Sequence, residues 1–70
     1  MHEEIRTLMR ATPFTPFTIF MTDGRSFGIL TSDHVSIMPS GLIVVEDDKR
    51  VVNLLPPRQV AGVESQSATD

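Results

Sequence analysis

Turn-forming residues cut this chain into short apolar segments. Asp23-Gly24, Pro39-Ser40-Gly41, Glu46-Asp47-Asp48-Lys49 and Pro56-Pro57-Arg58-Gln59 leave only a few residues between one segment and the next. Segments this short, joined this tightly, predict a strand meander, which must curl or be covered to bury one face.

Within the segments, period two dominates. Over residues 17–22, Phe17, Ile19 and Met21 face one way and Thr18, Phe20 and Thr22 the other, the pattern of a strand. Phe20 is apolar on the second face and marks a place for a helix to lie. Asp23-Gly24 predicts a hairpin turn into a second strand over residues 26–30. Gly28 inside that strand marks a bend, a bulge or close packing. Further strands are expected over residues 35–38, 42–45, 51–55 and 60–64, with one 3-10 turn at residues 56–59. The run Leu42-Ile43-Val44-Val45 is unbroken and reads as buried on both faces.

Ahead of the strands, residues 3–10 read as a helix. Ile5, Leu8 and Met9 share one stripe, with Met1 a turn earlier. Glu3 and Glu4 in the first turn and Arg10 in the last match the helix dipole. Thr12-Pro13 ends the helix, because the residue before proline is driven out of the α region. Two turns are not stable alone, so the helix must pack on the sheet. The expected fold is mainly β: a short N-terminal helix, then a five- or six-stranded bent antiparallel sheet, as an SH3/Sm-like small barrel. The domain spans residues 1–64, with a flexible tail over 65–70.

Seventy residues lie near the lower limit for a core without staples. There is no cysteine, which removes disulfides, thiol catalysis and the usual zinc ribbons, and suits a reducing compartment. No apolar stretch approaches the roughly 20 residues that span a bilayer. The start, Met1-His2-Glu3-Glu4, is acidic where a signal peptide is basic, so a cytoplasmic location off the membrane is expected. Six cations against nine anions count against the basic surface that phosphate binding needs.

The order of helix, bent strands and tight turn before a short last strand looks like the Sm-like branch of the SH3-type barrels. The stretch Ile19-Phe20-Met21-Thr22-Asp23-Gly24-Arg25 matches their first strand and its D-G turn. Gly28 and Asp33 miss the spacing of their second strand by about a residue. The asparagine of the Sm RNA pocket has no counterpart here. Neither does the late Arg-Gly of the eukaryotic members nor the Lys-His of Hfq: the equivalent stretch is Asn53-Leu54-Leu55-Pro56-Pro57. That resemblance implies a fold and does not carry RNA binding with it.

A second resemblance covers about residues 3–64. It rests on Pro13-Phe14, Pro16-Phe17-Thr18-Ile19, Asp23-Gly24-Arg25, Pro39-Ser40-Gly41 and Val44-Val45. These are similar to a family of short uncharacterised bacterial proteins of planctomycete type, with the pattern P-F-x-P-F-T-I, D-G-R, P-S-G and V-V. The likeness implies no activity.

Candidate functional residues are few. Arg25 either offers a bidentate contact to phosphate or carboxylate or is a solvated member of its turn. Lys49, Arg50 and Arg58 join it as candidate ligand or nucleic-acid contacts, opposed by Asp47 and Asp48 and by the lack of Tyr and Trp for stacking. His2 and His34 have no metal-ligand spacing, and His34 reads as a cap or packing residue at a corner. Glu46-Asp47-Asp48 lacks the spaced oxygens of a calcium loop and reads as a solvated turn. Phe14, Phe17, Phe20 and Phe27 line either a groove or the core.

A domain of this size has little room for a positioned acid–base pair in a pocket, so no catalytic, cofactor or metal site is expected. The expected role is a non-catalytic homo-oligomeric interaction module that binds itself or another protein. The alternative is an Sm/Hfq-like RNA-binding protein. Val51, Val52, Leu54, Leu55, Val60 and Val63 are the candidate oligomer edge.

Overall fold

The computed structural model describes residues 2–65. Helix α1 (His2–Met9) is followed by β1 (Phe17–Met21), β2 (Ser26–Ile29), β3 (Val35–Ile37), β4 (Ile43–Glu46), β5 (Val52–Leu55) and β6 (Val60–Ser65). Met1 and residues 66–70 of the tail expected over 65–70 lie outside the described residues. Ser65 pairs with Phe17, so the last strand runs past the expected boundary at residue 64.

The strands form two antiparallel sheets of three, ordered β2-β1-β6 and β3-β4-β5. No ladder joins them among the described residues, so the closed barrel expected from the sequence is not formed by strand pairing. The physical reason lies at two corners. A 3-10 turn at Ser32–His34 separates β2 from β3, and another at Pro57–Gln59 separates β5 from β6. Each interrupts the ladder where a barrel strand would bend through.

One core serves both sheets. Phe17, Ile19, Met21, Ile29 and Val60 come from the first, Val35, Ile43, Val45 and Leu55 from the second, and Ile5 from the helix. No polar or charged residue is buried among those described. Alternation supplies this in β1, where Phe17, Ile19 and Met21 face in. In β4 only one face is fully covered: Ile43 and Val45 are buried and Val44 is half-buried, against the expectation of two buried faces.

Strand β6 departs from simple alternation. Val60 pairs with Met21 and Val63 with Ile19, with a register shift between Phe20 and Met21. The extra residue lets two valines three positions apart both turn toward the core. The bulge therefore sits in β6 and not at Gly28, which pairs regularly with Thr18 and has open space where a Cβ would be. Gly24 and Gly41 hold positive φ in the two turns where the sequence places them.

Helix α1 packs against β3 and β6, an edge strand of each sheet. Ile5 is fully buried, with Leu8 and Met9 partly so. Phe20, where the sequence suggests a resting place for the helix, stays on the outer face at 39% exposure. The main contacts of the helix do not extend to the other edge strands, β2 and β5.

Candidate interaction surface

Strand β5 carries the largest group of exposed aliphatic residues on any one element. Val52 is 60% exposed and Leu54 59%, with Val51 at 52% just before the strand. Val52 and Leu54 lie two apart and share the outer face of the sheet. Leu54 pairs with half-buried Val44, which extends the apolar row onto β4, and Val52 pairs with Glu46. No charged residue, proline or bulge protects this edge, the usual devices by which edge strands avoid pairing.

The β4–β5 turn fixes how that edge is presented. Asp47 Oδ1 accepts from the Lys49 and Val51 amides at 2.9 and 3.0 Å, and Oδ2 from Asn53 Nδ2 at 3.4 Å. Its own amide donates to the Val51 carbonyl at 3.0 Å. Arg50 takes φ 66°, the left-handed conformation this turn demands. Asp47 is thus the organiser of the hairpin, beyond the solvated turn residue the sequence suggests. The readable signal is an aspartate opening a turn, whose short side chain bonds the backbone ahead of it.

The Val51 amide, Asn53 and the Lys49 amide with its nearby charge hold the Asp47 carboxyl below its ordinary value of 3.8, against an opposing desolvation. A carboxylate with a depressed folded pKa stabilises the fold above the ordinary value, and that contribution fades as pH falls through the folded value. The native chain should therefore exceed Asp47→Asn in urea midpoint near neutral pH, and the gap should close in acid. A gap independent of pH would show that the charge is not what organises the turn.

Of the four cations proposed from the sequence, Lys49 and Arg50 share the β4–β5 turn, Arg25 lies over Phe27, which lines the same hollow as Lys49, and Arg58 lines a different one. Arg25 is tied to Asp23, its Nε donating to Oδ2 at 2.8 Å and its amide to Oδ1 at 3.0 Å. Its guanidinium also lies 5.6 Å from the Phe27 ring centroid. The Arg25 amide leads in holding the Asp23 carboxyl low, so this group is the turn's own ion pair. Lys49 lines a hollow of about 460 Å³ with Phe27, Asp47 and Asp48. Arg50 lines another with His34, Glu46, Asp47 and Asp48. Arg58 stands apart, beside Ser40, Leu42 and Pro57.

Of the six residues proposed as an oligomer edge, Leu55 and Val60 are core, and Val63 packs partly buried against it. Only Val51, Val52 and Leu54 are exposed. His34 sits at the 3-10 corner, its Nδ1 in a 2.8 Å hydrogen bond with the Thr31 hydroxyl. Phe14 and Phe17 pack at 5.9 Å between centroids with their rings tilted by 53°, Phe17 within the core. Among the described residues no group of three His, Asp or Glu side chains could hold a metal ion. No described helix is long and apolar enough to cross a membrane.

A groove of about 520 Å³ between α1 and β6, lined by Glu3, Glu4, Thr7, Leu8 and Val63, is the other concave apolar feature of note. No protein-family model, no curated protein and no solved structure matches this chain.

Proposed function

We propose that this chain is a non-catalytic, cytoplasmic interaction module of the small SH3/Sm-like β-barrel type, and that β5 is its working edge. The observation that carries the reading is the exposed apolar row Val52–Leu54 on an edge strand free of charge and proline. An edge of this kind is a template for pairing with another chain. The barrel reading draws support from the order of the strands. Taking β2–β3 and β5–β6 each as one bent strand, neighbours run from β1 through β2–β3, β4 and β5–β6 back to β1. The RNA-binding alternative draws no comparable support, because three of the four candidate cations, Arg25, Lys49 and Arg50, lie beside carboxylates and Arg58 lines a separate hollow.

The test is size-exclusion chromatography with light scattering on the native chain and on Leu54→Lys. The native chain should run at a multiple of 7.8 kDa, and the variant as a monomer with an unchanged circular dichroism spectrum. A substitution at an exposed position usually changes stability by about 0.5 kcal/mol or less, and the unchanged spectrum separates lost association from lost folding. Association that survives the substitution would remove β5 from the reading. With no Trp or Tyr in the chain, co-eluting nucleic acid would stand out at 260 nm and would favour the RNA alternative.

A further inference from the structure

We infer that the occupant of the β5 edge is β5 of a second copy, paired antiparallel about a two-fold axis through Asn53. The inference rests on the reading of β5 as the interaction edge. It starts from hydrogen-bond alternation. The Asp47 amide donates to the Val51 carbonyl, and the register pairs Val45 with Asn53 and Ile43 with Leu55. In an antiparallel pair, hydrogen-bonded and non-bonded residues alternate, so Val51, Asn53 and Leu55 bond inward to β4. Val52 and Leu54 then direct their backbone N–H and C=O groups outward to the open edge.

Only one symmetric register uses both. Val52 against Val52 of the second copy would set Leu54 opposite Arg50, which is in a left-handed turn and cannot continue a strand. Leu54 against Leu54 would set Val52 opposite Pro56, which has no N–H. Val52 against Leu54 of the second copy satisfies all four outward residues reciprocally and puts Asn53 opposite Asn53.

Side chains agree with this register. On the outer face each row reads Val44, Leu54, then Val52 and Glu46 of the second copy, so the apolar residues meet at the seam and the two Glu46 carboxylates fall in different rows. The same two-fold brings the hairpin tip of each copy, residues 46–50 with three acids and two bases, alongside the turn that carries Arg58 of the other. A four-residue strand offers less than the roughly 1,200 Å² of a standard stable interface, so the dimer forms reversibly with concentration.

The native chain tests this by amide hydrogen exchange across a concentration series, followed beside light scattering. The Val52 and Leu54 amides should exchange fast in dilute protein. They should slow by roughly tenfold where about nine-tenths of the chain is dimeric, while the Asn53 amide, already bonded to β4, changes less. A second readout is Asn53→Cys, which introduces the sole thiol into this cysteine-free chain. Facing non-bonded residues place their Cα atoms about 4.5 Å apart, within disulfide reach, so mild oxidation should link two copies. The exposed Glu46→Cys should not link. A dimer whose Val52 and Leu54 amides stay fast, and whose Asn53→Cys variant stays unlinked, would overturn this register and leave β5 pairing with other chains standing. A native chain monomeric at every concentration would overturn the second copy as occupant.

Discussion

Phe17→Ala is expected to abolish cooperative folding at room temperature. Phe17 is fully buried and pairs with Ile29 on one side and Ser65 on the other, in the strand that joins the whole first sheet. Truncating a buried phenylalanine to alanine costs about 3–5 kcal/mol, the lost transfer energy plus a cavity the neighbours cannot fill. A single core in a chain this short rarely supplies more than about 3–5 kcal/mol in total. The two quantities are equal in size, so the folded population collapses. Urea denaturation followed by circular dichroism reads the result directly. Phe17→Leu, which keeps most of the volume, should retain a sigmoidal transition at a lower midpoint, and partly exposed Phe14→Ala should cost less than Phe17→Ala. A cooperative transition in Phe17→Ala close to that of the native chain would mean the core is not centred on this residue.

Ile5→Ala is expected to be the next most damaging change, at about 2–5 kcal/mol. Eight helical residues are too few to persist in water on their own, so α1 exists because the sheets accept its apolar stripe. Ile5 is the one helix residue in that stripe with no exposure, while Leu8 and Met9 are only partly covered. Losing it uncovers the core between β3 and β6 as well as weakening the helix. Exposed Thr7→Ala on the same helix is the control and should stay within about 0.5 kcal/mol of the native chain. Equal melting temperatures for the two variants would show that α1 is an appendage and not a wall of the core.

The candidate interaction surface is half legible in the sequence. Val51, Val52 and Leu54 stand out as apolar residues in a segment that could be an edge, and they are the exposed ones. Leu55 and Val60 look equivalent in sequence and are buried, because whether an aliphatic residue is covered depends on what packs over its face. The cations illustrate the same point. Arg25, Lys49, Arg50 and Arg58 all lie beside turns in sequence, yet nothing local states which carboxylates and rings each stands beside in the folded chain.

Local chemistry accounts for what can be read from the residues alone: the helix stripe of Ile5, Leu8 and Met9, the alternation in β1, and the turns at Gly24 and Gly41. Helical and strand periods and the need for positive φ are properties of a few neighbouring residues. The bulge in β6, the break between the sheets and the choice of β3 and β6 as the edges beside the helix required the folded chain. Each of these depends on which distant strands pair and which faces are left to be covered. Such pairings are settled by the competition of the whole apolar set for one small core, and a window of sequence does not contain that competition.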